Sequence, residues 1–508
     1  MVLRVHVLTQ GNCAIIFLFL IIIKMAMGVN SKIQHSSETG DQKKKAEPFE
    51  KLQSNNLSSK TSTYLLKDVI GEGSFGKVAQ CVNLDTSQTV ALKVLKTKSN
   101  VISKMEIKML EIVSVLDPVK KSIVKFIENF EHEGYTCLAF EMLDISLFDF
   151  VVKKRKKPLS VSEIRPIAHQ LLTAFEALKG IQIIHADLKP DNIMLVNHSC
   201  EPFRVKLIDF GCSIQTSAVT LGMIIQPMGY RAPEVTLGLP FSEQVDMWGL
   251  GCALTFLHIG QHLFATNCEY QMMKSIVQIR GQPPDSLLLA GKYSQKYFTH
   301  LNFDQWKLKT PDEYKLSNGD ATKTWKIRLK SLDAIRTSRE DTKEVFSEFE
   351  DQNEFVSFLK CLLSIQAERR IAPGEALKHR YVSMAHLVHE SHTSSYVDNA
   401  FDQMLVCPIE GFEEELISDS EDEDKASYDL ILHSTCSSDG VAHMRQWSSS
   451  DSLNKTSLDD GHIEQDVLES IQTDGQIDQD VLEPVQEKHN ANNMPVFVCS
   501  GCGILFRK

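Results

Sequence analysis

The sequence has no cysteine spacing that reads as a disulfide framework, no apolar run long enough to cross a bilayer, and no excess of basic charge. Each absence excludes a class. Twelve scattered cysteines in 508 residues argue against a small disulfide-stapled secreted domain and fit a reducing compartment. Fifty-four basic against sixty-six acidic residues, a net charge of −12, argue against direct nucleic-acid binding through a basic surface. Ala14–Ile23 is only ten apolar residues, where a spanning helix needs about 20. That length suits the core of a signal segment. Residues 1–30 are therefore read as a hydrophobic extension of open role. A signal or anchor over residues 5–23 is the minority reading, and an unprocessed extension is its rival.

What is present is ordinary globular composition, 43% hydrophobic and 24% charged, with room for one large domain plus tails. Residues 31–63 are polar and rich in Ser, Lys and Gln, as a linker would be. From Tyr64 to about Leu147, short alternating apolar runs predict strands, with one helix around Lys104–Val115. From Val161 to about Leu387 the pattern turns helical, as in Ile164–Leu178 and Val245–Leu257. A β-rich lobe followed by a helical lobe, with a cleft between them, is the α+β architecture expected. Residues 388–508 shift to acidic and polar composition. Glu410–Asp424 carries nine acidic residues and no basic one, the mark of a solvated, disordered tail. An echo fourteen residues apart, at Ile463–Glu469 and Ile477–Glu483, is too short for a solenoid. It reads as a duplicated amphipathic segment.

Four motifs carry chemistry. In Ile70-Gly71-Glu72-Gly73-Ser74-Phe75-Gly76-Lys77-Val78, the glycines let a strand–turn–strand lie close over phosphates. Alone this is weak, and it could open a dinucleotide-binding unit instead. However, Val78–Val82 continues as strand rather than helix. Val90-Ala91-Leu92-Lys93 then places an ammonium in an apolar strand, where it must find anions. The α- and β-phosphates of ATP would serve, as would a carboxylate on the following helix. Glu106 is preferred to Glu111 by spacing and apolar neighbours. Ile184–Asn192 sets three groups on one loop: Asp187 to take a hydroxyl proton, Lys189 to approach the γ-phosphate, and Asn192 to hold Mg²⁺. His185 is read as a packing residue. Finally, Asp209-Phe210-Gly211 ends a buried strand with a metal-holding acid.

In this order the motifs make residues 64–387 resemble a eukaryotic protein kinase. Further matches are Ala232-Pro233-Glu234, Asp246-Met247-Trp248, and Arg370 as a structural partner of Glu234. The resemblance implies a bilobal kinase fold and an adenine-binding hinge at Glu141 and Leu143 after the gatekeeper Phe140. It implies ATP and Mg²⁺ as cofactors, protein substrates, and serine/threonine specificity from Lys189. Dual specificity and a nucleotide-binding pseudokinase scaffold acting through the tail are the alternatives. His185–Val196, Cys137–Leu143 and Tyr230–Phe241 are similar to the homeodomain-interacting protein kinases of the CMGC group, with the dual-specificity tyrosine-regulated kinases as near relatives. That likeness implies a monomer in nucleus and cytoplasm, with transcription regulators among its partners. Lys153–Lys157 reads equally as a nuclear-import run or a solvated surface.

Three departures modify the expectation. Ala186 stands where kinases usually carry the arginine that pairs with a phosphorylated activation segment. Ile224 aligns with a self-phosphorylated tyrosine of the subfamily, so activity should need no tyrosine phosphate. Met228 replaces an arginine that helps accept proline after the target residue, so a weakened proline preference is expected. Cys499 and Cys502 are one CxxC pair without a second, read as free thiols rather than a zinc site.

Overall fold

A computed structural model describes residues 56–73, 76–98, 101–301, 305–318, 329–336, 345–390 and 394–408, with two short paired strands, Phe497–Val498 and Leu505–Phe506. The chain divides into two units, Met1–Phe412 and Glu413–Lys508. The described part of the second is the antiparallel pair just named. Residues 5–23, Ser74, Phe75, Ile463–Glu483, Cys499 and Cys502 lie outside the described residues.

The first unit opens with strands β1 Asn56–Ser58, β2 Thr63–Glu72, β3 Gly76–Asn83 and β4 Thr89–Lys98, then helix α1 Val101–Val113, then β5 Phe126–His132 and β6 Tyr135–Glu141. The strands form one antiparallel sheet in the order β1-β2-β3-β4-β6-β5. Alternation is clear in β3, whose Ala79, Cys81 and Asn83 face inward. In α1 the buried side chains are Ser103, Glu106, Met109, Leu110 and Val113. That 3–4–7 spacing places Glu106 on the packed face and leaves Glu111 in solvent.

The sheet begins earlier than the polar composition of residues 31–63 suggested. β1 pairs with β2 through Leu57↔Tyr64, and Leu57 is fully buried. One apolar residue among polar neighbours gives a strand little sequence signal, yet it closes the sheet's edge and its small core.

The helical lobe follows. α2 Val161–Gly180 starts on a capping box in which Ser160 and Glu163 satisfy each other's backbone N–H groups. Short strands β7 Ile183–Ile184, β8 Ile193–Leu195, β9 Val205–Leu207 and β10 Ile214–Gln215 frame the catalytic loop. Then come α3 Pro233–Leu237, α4 Gln244–Ile259, α5 Glu269–Arg280 and α6 Val345–Leu362. α4 is buried over nearly its whole length, with Trp248 at its centre. One further helix, α7 Ser395–Met404, lies beyond the expected end at Leu387. It buries Val397 and Ala400 in a cluster with Met384 and Leu387.

Candidate active site

β4 carries Lys93 into the cleft. Its Nζ lies 2.7 Å from Glu106 Oε1 and 3.0 Å from Asp209 Oδ1. Burial alone would lower the ammonium's pKa. The charges of Asp209 and Glu106 outweigh it and raise the pKa, so Lys93 is held as a cation. Of the two candidate carboxylates, Glu106 is the one beside Lys93, and Glu111 is exposed. Asp209 sits with φ +62°, just past β9, and Phe210 behind it is buried edge-on against the His185 ring.

The catalytic loop is held from beneath by α4. Asp246 accepts the backbone N–H of His185 (2.7 Å) and of Ala186 (3.0 Å). These bonds hold Ala186 in a left-handed conformation, φ +65°, which costs a non-glycine residue strain. His185 is fully buried; Nδ1 accepts from Asp187 N–H and Nε2 faces the Ile208 carbonyl at 3.0 Å. It positions the loop.

Asp187 receives Lys189 Nζ at 2.9 and 3.1 Å and the Asn192 amide at 2.8 Å. Burial raises the Asp187 pKa, Lys189 opposes that, and the Asp209 charge adds to it. The Asn192 amide nitrogen donates two hydrogen bonds to Asp187, one to its side chain and one to its carbonyl. Its carbonyl oxygen is therefore the atom left for a metal. Asp209 and Asn192 together offer hard oxygen donors, which suits Mg²⁺ completed by phosphate and water. No group of three or more His, Cys, Asp or Glu suited to a metal occurs among the described residues, so a dedicated all-protein cage is not what this site provides.

The roof is the β2–β3 turn, in which Gly73 N–H donates to Gly76 O at 2.8 Å. A Cβ on Gly76 would stand 2.5 Å from the Val94 carbonyl oxygen, so only glycine permits this approach. Ile70, Gly71, Glu72, Lys77 and Val78 flank the turn on β2 and β3, and Ala91 pairs with Phe140 on the strand that leads to the hinge. At the hinge, Leu143 is buried in the main core. Glu141 is committed elsewhere: its carboxylate accepts from Lys125 N–H at 2.5 Å and from the buried Lys206 at 2.6 Å. Its backbone N–H donates to the Lys125 carbonyl at 3.1 Å, so neither that N–H nor the side chain is left for a ligand.

Sequence reasoning missed that Lys206–Glu141 link, since the pair lies 65 residues apart. It also missed Arg231, which donates to the carbonyls of Ile225 and Gln226 and pairs with Glu269 at 3.0 Å. Arg370 and Glu234 do form the expected buried, two-pronged pair, at 2.7 and 3.0 Å.

This geometry agrees with comparison to known proteins. The protein kinase domain family model matches residues 64–382. The chain belongs to the protein kinase family. Within it, the chain is 38% identical over 370 residues to homeodomain-interacting protein kinase 1 of Mus musculus, covering 71% of this chain and 30% of that protein. It is 37% identical over 369 residues to homeodomain-interacting protein kinase 2 of Mus musculus, covering 71% and 31%. To homeodomain-interacting protein kinase 4 of Homo sapiens it is 37% identical over 358 residues, covering 67% and 58%. The chain thus spans about a third of the length of the first two relatives.

Proposed function

We propose that this protein kinase transfers the γ-phosphate of Mg²⁺-ATP to serine and threonine hydroxyls of proteins. One observation carries the reading: Lys93, Glu106 and Asp209 are joined in one ion-paired cluster, while Asp187, Lys189 and Asn192 are joined in another. Bound Mg²⁺-ATP would supply the phosphoryl group and neutralise its charge. The chain's residues do the positioning. The Asp187 carboxylate accepts the substrate hydroxyl proton, Lys189 stabilises negative charge beside it, and Lys93 holds nucleotide phosphates while Glu106 fixes its direction. Lys189, two residues past Asp187, supports serine/threonine over tyrosine by resemblance, and dual specificity is its variant. The scaffold reading gains no support from a site whose four chemical side chains are present and engaged.

Activity without a tyrosine phosphate is supported by how the activation segment is held. Ile224 has no hydroxyl to modify. Met223, Ile225 and Gln226 are buried, and Tyr293 Oη donates to the Gly222 carbonyl at 2.8 Å. The weakened proline preference rested on Met228 alone. Arg231 supplies a restraint from another position. Its guanidinium occupies the carbonyl of Gln226, which has φ +65°. A substrate residue without an N–H, proline, then loses no bond there, so proline remains acceptable. Peptide-array profiling of the whole chain tests both points. Phosphate should enter serine and threonine peptides, with proline tolerated or favoured after the target, whereas exclusion of proline would refute the second.

Action on transcription regulators is proposed from the relatives' names, and a place in nucleus and cytoplasm from the resemblance and from Lys153–Lys157. Of that run, Lys153 pairs with Asp149 and Arg155 with Glu163, and Lys154, Lys156 and Lys157 are exposed. No helix among the described residues is long and apolar enough to cross a membrane.

A further inference from the structure

The segment after the kinase core is built into the lobe and reaches the back of the cleft. Arg165 of α2 and Asp351 of α6 form a fully buried ion pair. Asp351 is also contacted by His386 Nε2 at 2.9 Å and by Tyr396 Oη at 2.5 Å. Tyr396 begins α7, and α7 lies along α2. The chain then continues so that Cys407 Sγ lies 3.7 Å from the Pro166 carbonyl and Val406 O accepts from Arg204 Nη1 at 3.0 Å.

Arg204 is the connection. It is buried at the start of β9, and its other amino group, Nη2, donates to Val119 O at 2.8 Å. Val119 lies in the loop between α1 and β5. That loop is also laced to β9: Leu207 N–H donates to Ser122 O at 2.9 Å and Val124 N–H to Leu207 O at 3.0 Å. One end of this joint carries α1 with Glu106. The other runs two residues on to Asp209. These two carboxylates are the ones that hold Lys93.

We propose that Ser394–Pro408 is a working part of the kinase, and that Arg204 is a positioning residue through which it sets the Lys93–Glu106–Asp209 geometry. The guanidinium is planar and rigid, so it holds the Val406 and Val119 carbonyls in fixed relation. Loss of the segment leaves one arm of a buried cation without its acceptor, and the loop behind α1 loosens. The proposal rests on the kinase reading for its consequence in activity. The coupling itself does not.

The test uses the full-length chain with Arg204→Met, Arg204→Lys, Tyr396→Phe, and deletion of Leu405–Cys407. Two readouts are taken: amide hydrogen exchange at Val101–Ser122, and kcat and KM for ATP. In Arg204→Met and in the deletion, exchange should quicken and KM for ATP should rise, each by about tenfold, the size expected for losing one or two hydrogen bonds to a charged donor. Tyr396→Phe should shift both in the same direction by less, and Arg204→Lys should recover part of the loss. Adding the deletion to Arg204→Met should give nothing beyond Arg204→Met alone, because the deletion acts through Arg204. Unchanged exchange at Val101–Ser122 in the deletion would overturn the proposal. So would a defect in Arg204→Met that the deletion does not share. If Arg204→Met does not fold, the deletion, which keeps Arg204, decides. If the wild-type chain transfers no phosphate, the kinase reading fails while exchange still settles the coupling.

Discussion

Replacing Glu234 by Gln removes one charge from a buried ion pair outside the cleft. Glu234 and Arg370 meet through two hydrogen bonds, at 2.7 and 3.0 Å, with Arg370 stacked 5.3 Å from the Trp248 ring. In Glu234→Gln the shape is kept, but a buried guanidinium loses its counter-charge. Breaking such a pair from one side costs about 3–5 kcal/mol. Arg370 retains the carbonyls of Ser364 and Gln244, which argues for the lower end, about 3 kcal/mol. The matched domain, residues 64–382, has roughly 320 residues, so its unfolding entropy is about 0.7 kcal/mol per degree and the loss lowers Tm by roughly 4–5 °C. Calorimetry of the full chain at neutral pH measures it. The double variant Glu234→Leu with Arg370→Met should recover much of the loss, because the cost lies in the unpaired charge. A single-variant shift below about 1 °C, or a double variant worse than the single, would refute the reasoning.

Three further outcomes are expected. Leu57→Ala should destabilise the sheet by about 2–5 kcal/mol, seen as a lower urea midpoint, since Leu57 is fully buried outside the matched residues. No loss would mean that β1 is dispensable. Asp246→Asn should lower kcat with little change in KM for ATP, because it loosens the bonds holding His185 and Ala186 while leaving Lys93 untouched. Burial already raises the Asp187 pKa and Lys189 opposes it, so Lys189→Met should raise it further. Activity requires the ionised carboxylate, so the acid limb of the kcat–pH profile should move to higher pH. A limb that stays or moves down would exclude Asp187 as the titrating base.

The chemistry was legible because it needs fixed residue types at short spacing. Lys93, Asp187, Asn192 and Asp209 could be named from such runs, and spacing with apolar neighbours favoured Glu106 over Glu111. The supports were not legible, since they join residues remote in sequence. Lys206 finds Glu141, Arg204 finds Val406, and Tyr396 finds Asp351 only after folding. Leu57 and α7 fell in polar stretches, where a few buried apolar residues decide the structure against the local composition. Arg231 is a further case: its hold on the Gln226 carbonyl, beside the departure at Met228, was not read from the sequence.

The most direct test of the central claim is transfer of labelled γ-phosphate from Mg²⁺-ATP to a generic basic protein by the full chain, compared with Asp187→Asn and Lys93→Met. Phosphoserine and phosphothreonine should form with the unaltered chain, and both variants should fold yet lose the activity. Transfer near the unaltered rate by either variant, or none by the unaltered chain, would contradict it.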